Sequence, residues 1–164
     1  MNLESINDMS TADFLEAFGG IFEHSPWVAE RASSQRPFTT IATMHEAMTA
    51  VVAAASLEQQ WELICAHPDL GARAKMSSTS TLEQAGAGLD RLTAAEFQRL
   101  HQLNGAYSEK FQFPFICAVR GMNTSEILLA IEQRLANTVN QERQTALTQI
   151  YKIAHLRLKD AIDE

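Results

Sequence analysis

The residue whose neighbours best suit it to acid–base chemistry is His67, which is followed directly by Pro68. Imidazole is the side chain that titrates near neutral pH without help from its surroundings. Residues Leu57–Ala66 follow a helical pattern, and a proline disfavours the helical conformation for the residue before it. We therefore predict a proton-handling group held in a fixed orientation at the end of a helix. Because a lone histidine is more often structural than catalytic, the neighbouring motifs must decide its role.

A second candidate motif, Ser80–Gln84, follows about a dozen residues later. The spacing of Ser80 and Glu83 is that of a capping box, which helix formation alone would explain. Capping does not explain Gln84, nor Gly86 and Gly88, since a glycine inside a helix costs about 1 kcal/mol relative to alanine. Glycine permits close approach by a ligand or another backbone, and a helix N-terminus favours an anion. We expect a turn that is both capped and able to face a bound carboxylate.

The third candidate is an apolar stretch, Phe111–Gly121, which contains Pro114 and is closed by Arg120 and Gly121. Its composition predicts an extended or tightly turned connection through the interior. Connections normally run over the surface, so a buried one needs a reason, and lining a pocket is one. Arg120 has two open interpretations: a solvent-facing residue at the end of a loop, or a guanidinium that binds a carboxylate or planar amide.

The elements that must position these residues are almost all helical. Helix-start signals recur along the chain, and a long C-terminal segment carries apolar residues at helical spacing. The predicted fold is all-α: a single-domain helical bundle over residues 1–164, with short loops and one buried irregular segment. The predicted helix starts lie at Ser10, Ser25, Thr43, Ser56, Thr93, Asn123 and Thr138.

Composition excludes several functional classes. The formal net charge is -7, and a nucleic-acid-binding protein would carry basic stripes instead. No apolar run approaches the roughly 20 residues that span a bilayer. The first residues lack the pattern of a signal peptide and the last lack a peroxisomal tripeptide, so we expect a cytoplasmic protein.

Metal and phosphate chemistry find no support in the sequence. There is no H-x-x-x-H pair, no Cys/His cluster, no P-loop and no nucleophile elbow, so we expect no dedicated metal site. The two cysteines, Cys65 and Cys117, lie in apolar runs, and we expect buried free thiols.

Taken together, these motifs resemble the OHCU decarboxylases, which act on 2-oxo-4-hydroxy-4-carboxy-5-ureidoimidazoline in the uric acid pathway. The similar stretches follow the family's order and span nearly the whole chain. They are Phe18–Trp27, Ser34–Phe38, His67–Leu70, Ser80-x-x-Glu83-Gln84-x-Gly86–Leu89, Leu103-Asn104-x-x-Tyr107 and Phe111-x-Phe113-Pro114-Phe115.

The resemblance implies an all-helical enzyme, usually a homodimer, that converts its small-molecule substrate to (S)-allantoin without a cofactor. It implies that His67 is the catalytic histidine and that Glu83 assists it. The residues that would contact the substrate are Pro68, Ser80, Thr81, Leu82, Gln84 and the backbone of Phe115, Ile116, Cys117, Ala118 and Val119, with Arg120 as a further candidate for the carboxylate.

The chemistry of this reaction fits the absence of cofactor motifs. Decarboxylation leaves an electron pair on carbon, and the conjugated C=N and carbonyl groups of the substrate can accept it. The protein must orient the breaking bond, stabilise the developing charge with fixed donors, and protonate one face of the carbon.

Rival interpretations come from other classes of protein. A His-Pro-Asp tripeptide between two helices also marks J-domains, which are binding modules that recruit Hsp70 chaperones. J-domains carry a basic helix before the tripeptide, whereas Leu57–Ala66 contains Glu58 and Glu62 and no lysine or arginine. A catalytically silent helical adaptor and a metal-dependent hydrolase of ureides are two further alternatives.

Overall fold

The computed structural model describes residues 1–71 and 78–163, and within these residues it contains nine α-helices and no strand. The predicted all-α class is therefore confirmed. The helices are α1 (Leu3–Asn7), α2 (Thr11–Phe18), α3 (Trp27–Ser33), α4 (Ile41–Ala53), α5 (Leu57–Cys65), α6 (Ser78–Gly86), α7 (Ala94–Phe111), α8 (Thr124–Arg134) and α9 (Val139–Ala161).

Side-chain caps begin most of these helices where the sequence predicts them. Ser10, Ser56 and Asn123 each accept a hydrogen bond from the backbone N–H three residues later. Thr93 and Glu96 form the reciprocal capping box of α7. Each such cap satisfies backbone donors at the start of a helix, and losing one costs about 1 kcal/mol.

Two of the seven starts named above are wrong. Helix α4 begins earlier, at Ile41, because Thr40 is its N-cap and Thr43 closes the capping box with its hydroxyl group. Ser25 does not cap α3, since its hydroxyl donates to the Glu23 carbonyl and Pro26 occupies the N-cap position.

The chain divides into two compact units. Unit 1 comprises Met1–Ala66 and the C-terminal residues from Tyr151 on, and unit 2 comprises His67–Ile150. Every candidate site residue named above lies in unit 2. The assignment of residues 1–164 to a single domain stays a prediction.

Unit 1 is built on apolar faces of α2, α3 and α4, with Phe14 and Phe18 fully buried and their ring centroids 5.0 Å apart. It also buries an ion pair in which Arg157 of α9 lies 3.1 Å from the Glu23 carboxylate. The same guanidinium donates to the Ile21 carbonyl. This pair ties the loop after α2 to α9.

Unit 2 has an aromatic core. Tyr107 and Phe111 lie on one face of α7, and Tyr107 also meets the edges of Phe113 and Phe115. Residues 112–119 are irregular, and most of their apolar side chains are buried against this core. The predicted buried irregular segment is thus confirmed. Burying each phenylalanine stabilises the fold by about 1.5–3 kcal/mol.

Both cysteines are free, as expected, but their predicted burial is wrong: Cys65 is exposed and Cys117 is only partly covered. Cys65 lies on the outer face of α5, since Leu63 and Ile64 supply the buried face. None of the helices described here combines the length and the apolar character that crossing a membrane requires.

Candidate active site

His67 occupies the position that the sequence predicts for it. Helix α5 ends at Cys65, Ala66 caps it, and His67 follows as a buried polar residue with 8% of its surface exposed. Pro68 cannot donate a backbone hydrogen bond and so helps to end the helical pattern. The imidazole is largely withdrawn from water, which strengthens its electrostatic interactions with whatever it faces.

One peptide group of the following turn is held from both sides. We call residues His67–Gly71 the histidine turn. The Leu70 carbonyl accepts a hydrogen bond of 2.9 Å from Nδ2 of Asn104, and the Gly71 N–H donates to Oε1 of Gln84 at 2.8 Å. These two groups belong to the same Leu70–Gly71 peptide bond. Helices α7 and α6 therefore fix its plane together.

Glycine is required at the end of the histidine turn for two reasons. Gly71 has φ +69°, in the left-handed region that other residues enter at a cost. A Cβ atom there would also lie 2.7 Å from Cδ2 of Leu100 on α7. The turn thus rests directly on the α7 surface.

Two opposing effects act on the pKa of Asp69, which lies within the histidine turn. Partial removal from water raises the pKa of its carboxyl group, while positive charge on His101 of α7 opposes that rise. The local electrostatics of the turn are therefore coupled to α7 as well.

Helix α6 carries the second set of candidates, but its start differs from the prediction. It begins at Ser78, so Ser80 lies inside the helix and the predicted capping box at Ser80 is wrong. Ser80 and Gln84 are buried, and being four residues apart they share one face of the helix. Glu83 is partly covered, whereas Thr81 and Leu82 are exposed.

The two glycines after this motif lie where α6 ends. Gly88 has φ +81°, its N–H donates to the Ala85 carbonyl, and the Leu89 N–H donates to the Gln84 carbonyl. These bonds form a Schellman motif, the usual glycine-dependent helix end. No described backbone comes close to Gly86, since a Cβ there would meet no described atom within 4 Å, and the predicted approach of a ligand stays a prediction.

A cavity of about 680 Å³ adjoins the histidine turn in unit 2. Gly71, Thr81 and Gln84 contribute to its wall, together with Asp90 in the loop before α7 and Phe97 in the first turn of α7. It therefore brings two of the candidate residues of α6 next to the end of the turn.

The segment Phe115–Val119 is held by α8 and α9. Arg134 donates to the Ile116 carbonyl at 2.5 Å, and the Ala118 N–H donates to Oε1 of Gln149 at 3.0 Å. Two of the backbone groups that were predicted to meet the substrate thus already have partners within the protein. Arg120 is exposed in the turn that follows, where Gly121 has φ +82°.

A buried polar network, which no sequence pattern indicated, anchors this segment. Glu142 is fully buried and receives hydrogen bonds from Nε of Arg134 at 2.7 Å and from the Tyr107 hydroxyl at 2.6 Å. Its other oxygen accepts a bond from Asn137. The Arg134 guanidinium also lies over the Phe115 ring, 4.2 Å from its centroid.

The network changes the ionisation of the Tyr107 phenol. Burial raises its pKa, and the hydrogen bond that it donates to Glu142 raises the pKa further. Tyr107 therefore stays a neutral donor across the physiological pH range, so the contact persists. The resemblance pointed to Tyr107, but no local pattern pairs Arg134 with Glu142.

A metal centre would need a cluster of ligands. Among residues 1–71 and 78–163, no three His, Cys, Asp or Glu side chains are grouped so as to hold an ion.

Comparison with known proteins decides the relationship. The OHCU decarboxylase family model matches residues 7–159. The chain belongs to the OHCU decarboxylase family. This confirms the resemblance drawn from the motifs, and nothing in the comparisons supports a J-domain.

The chain is similar to several named proteins over nearly all of its own length. A 2-oxo-4-hydroxy-4-carboxy-5-ureidoimidazoline decarboxylase of Haloferax volcanii is 43% identical over 160 residues, which cover 98% of this chain and 95% of that protein. The uric acid degradation bifunctional protein PucL of Bacillus subtilis is 42% identical over 162 residues, which cover 99% of this chain but 33% of that protein. A crystal structure of (S)-allantoin synthase matches with a TM-score of 0.83 and 36% identity, covering 99% of this chain and 55% of that one.

Proposed function

We propose that this protein is a carboxy-lyase that decarboxylates 2-oxo-4-hydroxy-4-carboxy-5-ureidoimidazoline to (S)-allantoin in uric acid degradation. The observation that carries the proposal is a buried histidine at the head of a turn pinned by two amide side chains, in a chain of this family. Full-length relatives bearing the decarboxylase name support the choice of substrate.

The substrate itself supplies the electron sink. As the carboxylate is lost as CO2, the electron pair of the breaking C–C bond passes into the adjacent conjugated C=N and carbonyl groups, and one proton added to the ring carbon completes the product. The protein then needs to bind, orient and protonate, and it needs no covalent intermediate of its own. Fixed donors near the ring heteroatoms would stabilise the developing charge.

His67 is assigned to the 4-hydroxyl group and the neighbouring carboxylate. Its burial limits competing solvent, and the adjoining Pro68 restricts its backbone. Glu83, on α6, is assigned to the same hydroxyl or to setting the charge state of the imidazole. Both assignments follow the family motif and the proximity of α6 to the histidine turn.

The remaining candidates would bind the rest of the substrate. Ser80, Thr81, Leu82 and Gln84 on α6 would contact the ureido and ring amides through side chains or backbone. Pro68 would supply apolar contact, and Phe115–Val119 would contribute the backbone groups that Arg134 and Gln149 leave available. Arg120 would aid the carboxylate from the adjacent turn.

We further propose a cytoplasmic homodimer that acts without a cofactor. The resemblance to the OHCU decarboxylases implies the homodimer and the independence from a cofactor, and the cytoplasmic location stays a prediction. Sedimentation or light scattering of the purified chain would measure its mass in solution, and a monomer at assay concentrations would contradict the homodimer.

The activity is tested by generating the unstable substrate in situ with urate oxidase and hydroxyisourate hydrolase and following circular dichroism. We expect rapid, protein-dependent appearance of optically active allantoin, and the His67→Asn variant should lose turnover while keeping its far-ultraviolet spectrum. His24→Asn provides a matched control, because His24 is exposed and has φ +47°, which asparagine tolerates. Slow racemic product with the wild-type protein would refute the proposed function.

A further inference from the structure

We propose that Asn104 is a positioning residue of this enzyme: its amide holds the Leu70 carbonyl and thereby fixes the turn that carries His67. The inference rests on the proposed function, because it concerns the geometry of the proposed catalytic histidine. Asn104 does not itself need to touch the substrate.

The first support is the two-sided restraint on one peptide group. Asn104 donates to its carbonyl at 2.9 Å and Gln84 accepts from its N–H at 2.8 Å. A peptide group is planar, so two restraints at opposite edges fix its rotation about the chain axis. Losing the Asn104 bond leaves the plane held at one edge.

The second support is the way α7 forms a platform for the turn. Leu100 and Asn104 lie four residues apart, on the same face of the helix. Leu100 lies against Gly71, and Asn104 binds Leu70. Burial raises the pKa of Asp69, and His101, between Leu100 and Asn104 in sequence, opposes that rise. Three consecutive residues of the turn thus interact with one short stretch of α7.

The third support is the energetic cost of an amide at this position. Asn104 is 9% exposed, and its Oδ1 atom is buried with no hydrogen-bond partner in the described part of the chain. A buried unsatisfied polar atom costs about 1–3 kcal/mol, so apolar packing alone would favour leucine here. What the amide uniquely supplies is the donor to Leu70.

The consequence for catalysis follows from the short connection to His67. Only Pro68 and Asp69 separate His67 from Leu70, and proline allows little adjustment. A displacement of about 1 Å in a reacting group can reduce the rate by about 100-fold. We therefore expect Asn104 substitutions to lower kcat more than they raise KM.

The test compares Asn104→Ala with Asn104→Asp in the allantoin-forming assay, across pH 6 to 8. Alanine removes the donor, and we expect kcat to fall by about 10- to 100-fold. The aspartate carboxyl group can donate to the Leu70 carbonyl only when protonated, and burial favours that form. Its kcat relative to wild type should exceed that of the alanine variant and increase as the pH falls.

The matched control is Asn140→Asp, the same chemical change at an exposed position of α9, which should keep wild-type kcat at every pH. Activities are expressed per folded protein, measured by circular dichroism. If alanine prevents folding, Asn104→Ser supplies a weaker donor from a shorter side chain, and an intermediate kcat is expected.

The inference is overturned if Asn104→Ala retains wild-type kcat, or if Asn104→Asp is as impaired as the alanine variant at every pH. Hydrogen exchange of the Gly71 amide gives a readout independent of activity: the alanine variant should exchange faster, because the peptide has lost one restraint. If wild-type protein forms no optically active allantoin, the proposed function fails. If it does and the variants behave like wild type, only the role of Asn104 fails.

Discussion

The buried pair of Arg134 and Glu142 supports a quantitative prediction about stability. Replacing Arg134 with methionine leaves the fully buried Glu142 carboxylate without its cation and the Ile116 carbonyl without its donor. Breaking a buried ion pair by removing one partner costs about 3–5 kcal/mol. Glu142→Leu should cost a similar amount, since it strands the guanidinium.

The double variant should lose much less free energy of unfolding than the two single variants lose together. Removing both charges leaves no uncompensated ion, and the remaining cost comes from the unpaired Tyr107 hydroxyl and Ile116 carbonyl, at about 1–3 kcal/mol each. The two single losses would sum to about 6–10 kcal/mol, against about 2–6 kcal/mol for the double variant, so the centres of these ranges give a coupling of about 4 kcal/mol between the residues.

Urea unfolding followed by far-ultraviolet circular dichroism, at one protein concentration, measures all four proteins of this cycle. Arg99 and Glu132 form a matched control pair, because their contact is exposed and should contribute less than about 1 kcal/mol. Additive losses at Arg134 and Glu142, within about 0.5 kcal/mol, would refute the claim that the pair acts as a unit.

Three further predictions concern single residues. Burial lowers the pKa of His45, so the unfolded chain binds the proton more tightly than the folded chain. The free energy of unfolding should therefore fall as the pH drops below roughly 6.5. The His45→Gln variant should lose less stability than wild type between pH 7.5 and 5.5, and equal losses would count against this. Gly88→Ala should destabilise the protein by about 1 kcal/mol, because residue 88 has a left-handed backbone conformation. Gly105→Ala should instead stabilise the protein by about 0.5–1 kcal/mol in thermal melts, because Gly105 lies within α7 and no described atom is close to the new Cβ. Gln149→Leu removes the acceptor of the Ala118 N–H, so KM should rise several-fold with little change in kcat. An unchanged KM would show that the segment Phe115–Val119 keeps its position without that bond.

The fold was largely predictable because its signals are local. A Ser or Thr followed three residues later by a matching partner marks a helix start, and Thr93 with Glu96 behaves as that pattern predicts. The same rule failed where a competing pattern lay nearby. Thr40 caps α4 with the help of the Thr43 hydroxyl, and Ser80 lies inside a helix that had already begun at Ser78.

The candidate site was predictable in its members but not in its contacts. His67 and Gln84 stand out by residue type and spacing. The bonds that define their setting join residues far apart in the chain: Asn104 reaches Leu70 across 34 positions and Arg134 reaches Ile116 across 18. Hydrophobic periodicity and capping patterns report on neighbours within about four residues, so they carry no information about such pairs.

The anchoring of residues Phe115–Val119 has a consequence for the newborn chain. Synthesis proceeds from the N-terminus at about 5–20 residues per second, so this apolar stretch leaves the ribosome before the side chains that hold it. The partners of this stretch are synthesised after it: Arg134 binds the Ile116 carbonyl, and Gln149 accepts from the Ala118 amide. Glu142, which binds Arg134, also comes later. During that interval the stretch lacks the partners that hold it in the folded protein, and a chain that ended before Gln149 could not form the bond that holds the Ala118 amide.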